Sequence, residues 1–179
     1  MKAVILTGKR VQDHEFIYPF YRLQEAGYEV DVAVRGKQPC LGELGCKIEP
    51  TKDIDELRIR DYEVLIIPGG AKCLEYIRQD LGIIKVVRDF HADGLVIGSI
   101  CHGSQLLISA GLCRDRTISG YYSIKDDIIN AGGTYVDEPA VVFDRIVTTA
   151  HYKHLGPWMS AVLSSVSQNI FMESLKRAP

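Results

Sequence analysis

Cys101 is the residue whose surroundings most strongly imply chemistry. It lies in Ser99-Ile100-Cys101-His102-Gly103, after the apolar run of residues 95–100 (LVIGSI) and before a helical pattern over 102–112. A nucleophile elbow is a strand, a sharp turn and a helix. Small residues stand two before and two after the nucleophile, because the turn presses backbone against backbone. Ser99 and Gly103 meet that need. A helix starting at the thiol favours the thiolate, so the thiol pKa is expected below its free value of about 8.5. Cys40, Cys46, Cys73 and Cys113 lack such a setting and read as structural. Five cysteines with no C-x-x-C pair argue against a disulfide framework and a zinc ribbon. They suit a reducing, cytoplasmic location.

Three further features bear on the same chemistry. Glu15 follows the first apolar run; beside a thiolate its carboxylate would repel, so a shared proton is expected. Gly69-Gly70 follows another apolar run and reads as a loop that lets backbone donors approach a ligand. His151 and His154 are spaced as on one helical turn, but no acidic or thiol partner adjoins them. A solvated or hydrogen-bonded role is expected for them rather than a metal site.

The elements that must position these residues alternate between two periods. Residues 2–7, 28–35, 63–67, 95–100, 140–143 and 145–149 read as strands. Residues 14–27, 82–92, 102–112, 123–131 and 155–175 read as helices, with Phe16, Phe20, Leu23 and Ala26 on one face of the first and Pro19 near its first turn. Residues 36–61, rich in Gly and Pro, suit a small hairpin and a short helical turn. Strands separated by helices predict a doubly wound α/β fold with a parallel sheet, as one domain over 1–179. The carboxyl ends of its strands would then gather residues 8–15, 68–70 and 99–103.

Composition closes off other classes. Twenty-one basic against 23 acidic residues give a net charge of −2, so no basic excess draws nucleic acid or an anionic membrane. No run nears the roughly 18 apolar residues of a membrane span. There is no G-x-G-x-x-G, Walker loop or three-ligand metal set, so no cofactor is expected.

The strand–Ser-Ile-Cys-His-Gly–helix unit resembles the elbow of the DJ-1/PfpI superfamily, and of its PfpI-type protease and deglycase branch in particular. Similar stretches are Asp13 to Pro19, Ile67-Pro68-Gly69-Gly70, Ser99 to Gly111 and Ile124 to Gly132. The resemblance implies a flavodoxin-like, class I glutamine amidotransferase-like fold. It implies Cys101 as nucleophile, Glu15 as the carboxyl bonded to it, and His102 as general base. Glu75 would be an acid supplied to that His by a neighbouring subunit. It further implies an oxyanion hole from the N–H groups of Gly70, beside Gly69, and of His102. Tyr121 takes the position where the DJ-1 branch has a His, and His151 lies among the residues of the site mouth. The implied activity is attack on electrophilic carbonyls of a small-molecule or peptide substrate: deglycase, peptidase or glyoxalase-like. The implied assembly is a homo-oligomer, a dimer or a larger ring up to a hexamer. The alternative is a non-catalytic stress protein with Cys101 as redox sensor. A glutamine amidotransferase domain would want His-x-Glu where His151-Tyr152-Lys153 stands. The chain departs from the PfpI pattern at Arg10, Gln12, Tyr122, Ala150, Tyr152 and His154, so the substrate is the least constrained part of the reading.

Overall fold

The computed structural model describes residues 1–176. The chain opens with β1 (Lys2–Leu6), α1 (Asp13–Glu25), β2 (Glu29–Ala33) and the short pair β3 (Cys40–Leu41) and β4 (Lys47–Ile48). It continues through β5 (Val64–Ile67), α2 (Ala71–Ile77), α3 (Leu81–Ala92), β6 (Val96–Ile100) and α4 (Ser104–Ala110). It ends with β7 (Thr117–Ile118), α5 (Lys125–Asn130), β8 (Thr134–Tyr135), β9 (Val141–Phe143), β10 (Ile146–Thr149) and α6 (Leu155–Lys176).

Six strands form one sheet in the order β2-β1-β5-β6-β10-β9. Every residue of β5, β6 and β10 is buried, as expected when helices cover both faces of a parallel sheet. The first five strands pair in parallel, giving the flavodoxin-like order with its switch point between β1 and β5. The sixth departs from the all-parallel expectation: β9 is antiparallel to β10, with Phe143 facing Ile146. Only Asp144 and Arg145 separate that pair, too few for the crossover that parallel strands need.

Other differences are local. The expected hairpin within 36–61 is β3–β4. Helix α2 was not evident in the sequence, being seven residues long with a glycine cap that offers no side-chain bond. A second two-stranded ladder, β7–β8, pairs only two residues on each side. Pro19 lies in the middle of α1, not in its first turn, so the carbonyl of Glu15 receives no ladder bond from it. Gln12 caps α1 by accepting from the His14 N–H at 3.1 Å, and Phe16, Pro19 and Leu23 face the core. At the other end of the sheet Trp158 of α6 is fully buried and donates to the Val147 carbonyl at 3.0 Å. That bond seats α6 against β10.

Candidate active site

The loops after β1, β5 and β6 meet at the carboxyl edge of the sheet and enclose a cavity of about 290 Å³. Cys101 stands at its floor. Ile100 is still extended, whereas Cys101 has φ 59°, a left-handed conformation rare for a residue with a side chain. Such a residue costs on the order of 1–3 kcal/mol unless its surroundings impose it. The turn Cys101–Gly103 then leads straight into α4. Gly103 is required here, because a Cβ at that position would collide with the Ile67 carbonyl oxygen and lie 2.9 Å from Ser99 Oγ. Ser104 Oγ donates to the Ser119 carbonyl at 2.8 Å and ties the elbow to the strand beside it. This is the strained strand–turn–helix geometry expected from Ser99-x-Cys101-x-Gly103.

Two backbone donors, the N–H groups of His102 and Gly70, point at the Cys101 sulfur. Gly70 can do so because its φ is 103°, and a Cβ there would meet the backbone of Arg10 to Gln12. Gly69 presents its own N–H to Glu15 Oε2 at 2.7 Å, while its carbonyl accepts from Gln12 N–H at 3.2 Å. The Gly69-Gly70 loop is thus stitched to the start of α1, with one face toward the carboxyl and the other toward the sulfur.

Glu15 is fully buried. Burial pushes its pKa up to about 7, against the opposing bonds from Gly69 N–H and Cys101. The thiol does not follow the helix-start expectation. Burial first, then the neighbouring charge of Glu15, pushes the Cys101 pKa up, and the two backbone N–H bonds pull the other way without winning. The helix-start field comes from a seven-residue helix, whereas burial acts on every side of the sulfur. Below about pH 7 each group therefore keeps its own proton; above it the pair holds one between them, and glutamic acid with thiolate is one of its two arrangements.

His102 lies alongside the sulfur, with Nδ1 3.4 Å from Sγ and Nε2 3.2 Å from Ser123 Oγ. Burial lowers its pKa, so the ring is neutral and available as a base. Its face packs on Tyr121, ring centroids 4.9 Å apart, and Tyr121 N–H donates to the Cys101 carbonyl at 3.2 Å. Aromatic rings continue around the mouth. Tyr121 to His151 is 6.0 Å, His151 to Tyr152 is 4.1 Å, and Tyr152 stacks on His14 at 5.2 Å.

Of the residues singled out in the sequence, Glu15, Gly69, Gly70, Cys101, His102, Tyr121 and His151 meet here. Two do not join them within the chain. Glu75 is exposed on α2 and pairs with Lys72 at 2.9 Å. His154 donates its backbone N–H to the His151 carbonyl, and His151 Nδ1 accepts from Lys153 N–H at 3.1 Å. The histidine pair thus shapes a turn at the rim. Sequence reasoning overlooked Ser123 and Glu43. Ser123 is brought to His102 by the turn before α5, and Glu43 lines the cavity from the tip of the β3–β4 hairpin. Nothing near either residue in the chain marks it. Among the described residues no group of three or more His, Cys, Asp or Glu side chains is placed to hold a metal. No described helix is long and apolar enough to cross a membrane.

Residues 1–165 match the model of the DJ-1/PfpI family. The chain belongs to the DJ-1/PfpI family. Among its relatives in that family, the Deglycase PfpI of Pyrococcus furiosus is 35% identical over 159 residues, covering 89% of this chain and 95% of that protein. The Protein/nucleic acid deglycase 2 of Escherichia coli is 35% identical, covering 83% and 87%. A two-domain protein of Anabaena variabilis, with DJ-1/ThiJ/PfpI-like and ferritin-like domains, superposes with a TM-score of 0.89 at 30% identity. This chain spans 48% of that longer chain. Schizosaccharomyces pombe DJ-1 shares the fold over the full length of both chains, with a TM-score of 0.84 at 18% identity.

Proposed function

We propose that this DJ-1/PfpI protein is a cysteine-dependent hydrolase of the deglycase type, acting on electrophilic carbonyls such as aldehyde adducts of amino groups. The observation that carries the reading is the Cys101 sulfur itself. It lies on a strained elbow at a cavity floor, with two N–H donors aimed at it and a shared proton on Glu15. Attack by sulfur forms an S–C bond and moves the carbonyl π pair onto oxygen. The N–H groups of Gly70 and His102 then accommodate the oxyanion. Glu15 holds the pair's proton while the thiolate is spent. The intermediate collapses with rupture of its C–N bond; His102, 3.4 Å from the sulfur, passes a proton to the departing amine and takes one from the water that cleaves the S–C bond. The deglycase names of the relatives support the same substrate class.

Turnover of a methylglyoxal-modified peptide tests the reading. The protein should release the free amine, and Cys101→Ala should not. Equal release by both would overturn it, and peroxide oxidation of Cys101 without any turnover would favour a redox sensor instead.

The same reading extends to assembly. Glu75, exposed and paired with Lys72 rather than with His102 of its own chain, serves the His102 of a neighbouring copy, so the protein works as a homo-oligomer. Glu75→Ala and Cys101→Ala chains, each folded and inactive, should regain part of the activity when refolded together. No recovery on mixing would remove the shared site.

A further inference from the structure

Glu43 is the one carboxylate of the cavity wall that the proposed chemistry leaves without a role. It stands at the tip of the β3–β4 hairpin, and that tip is held from four points. Glu43 N–H donates to the Val11 carbonyl at 2.8 Å, and Gly42 N–H to the Cys46 carbonyl at 2.8 Å. Leu44 N–H and Cys46 N–H donate to the two oxygens of Asp13 at 2.7 and 2.6 Å. Asp13 is buried in the first turn of α1, two residues before Glu15. The hairpin is therefore fastened to the helix that carries Glu15, and its tip holds Glu43, an exposed residue, in the lining of the cavity.

The charges around the cavity make that placement consequential. The lining holds no Lys or Arg. Of its other titratable groups, burial lowers the pKa of both His102 and His151, which favours their neutral rings, burial raises Glu15 and Cys101, and the bond with Tyr122 raises Tyr121. Nearby cations lie outside the lining, Arg10 in the loop against Gly70 among them. Lys9 lies over the Tyr76 ring at 4.3 Å, Lys72 pairs with Glu75, and Lys153 acts on the rim at His151. Charge from Glu43 reaches both Glu15 and His102.

We propose that Glu43 is the charge-selecting residue of the cavity, favouring carbonyl substrates with a cationic neighbouring group over anionic ones such as α-oxo acids or phosphorylated aldehydes. Asp13 is its positioning residue, acting through the hairpin. The proposal rests on the carbonyl reading above and names the class of substrate within it.

A test that needs no turnover separates the two. Methanethiosulfonates carrying a trimethylammonioethyl or a sulfonatoethyl group report on the field at a thiol. The Cys101 sulfur attacks the sulfenyl sulfur, a disulfide forms, methanesulfinate leaves, and the thiol proton passes to solvent. Rates are read on the Cys101 peptide by mass, in a Cys40→Ser, Cys46→Ser background that removes the two part-exposed thiols. The ratio of cationic to anionic rate should favour the cation and fall about tenfold in Glu43→Gln, the effect of one charge acting oppositely on two probes within a cavity. It should reverse in Glu43→Lys and be retained in Glu43→Asp. An unchanged ratio in folded Glu43→Gln would overturn the proposal, even if carbonyl turnover is intact. A protein that shows the ratio yet turns over no carbonyl would instead overturn the reading of function.

Discussion

Asp13 and Glu15 lie two residues apart in the first turn of α1, and both are buried, yet they serve two different regions. Asp13 faces the hairpin, where each of its oxygens accepts a short backbone N–H bond. Glu15 faces the elbow, where Oε2 accepts one N–H from Gly69, Oε1 is buried without a partner, and Cys101 lies close by. With a donor on each oxygen, Asp13 acts as a clasp. Glu15, with a single donor and a thiol beside it, holds its proton to about neutral pH and becomes reactive. Burial drives the Glu15 shift, and the single N–H donor that opposes it, where Asp13 has two, marks the chemical acid off from the structural one.

The largest effect should come from the elbow side. Cys101→Ala should lower carbonyl turnover by at least about a thousandfold, since it removes the nucleophile outright. Chemical denaturation should find the variant no less stable than the parent, because the left-handed strain at Cys101 does no work in holding the fold. Residual activity within tenfold of the parent would place the chemistry elsewhere.

Next comes the pH dependence of stability. The folded-state pKa of Glu15, about 7, is raised above its ordinary value of 4.5. The folded protein thus binds this proton more tightly than the unfolded chain. Its contribution is fully present below about pH 4.5 and is lost as pH rises through 7, amounting to about 3 kcal/mol. Glu15→Gln cannot lose a proton, so its stability relative to the parent should improve by about that amount between pH 4.5 and 8. Parallel unfolding curves across that range would erase the distinction between the two acids.

The hairpin side should respond differently. Asp13→Asn keeps one acceptor and turns an amide toward the other N–H, costing about 2 kcal/mol. The loss should appear as faster hydrogen exchange at the Leu44 and Cys46 amides, with the elbow amides unchanged. Exchange that rises equally in both regions would mean the clasp and the reactive pair are one unit. The smallest effect belongs to the rim. Tyr152→Ala removes the ring between His14 and His151 and should raise KM severalfold with little change in kcat. A drop in kcat alone would draw the rim into the chemical step.

What could be read in the sequence follows the range of the forces involved. The elbow was legible because its demand for small residues is met within five positions, Ser99 to Gly103. The parallel sheet followed from strands alternating with helices, and its flavodoxin-like form from the resemblance. The sign of the thiol shift was not legible, because a helix start is a local feature and the burial of Cys101 comes from three loops distant in sequence. Glu43 was hidden for the same reason: Asp13, about thirty residues earlier, is what brings it to the cavity. The antiparallel β9 could have been deduced from the two-residue gap at Asp144 and Arg145, whereas α2, β7 and β8 are too short to leave a periodic trace.

The central claim is that Cys101 and Glu15 share one proton at a reactive elbow. Its most direct test is the rate of Cys101 alkylation by iodoacetamide from pH 5 to 10, read on the Cys101 peptide, in the parent and in Glu15→Gln. The parent should show an inflection near pH 7, where the pair loses its first proton, and Glu15→Gln should lack it. One identical inflection above pH 9 in both proteins would contradict the account.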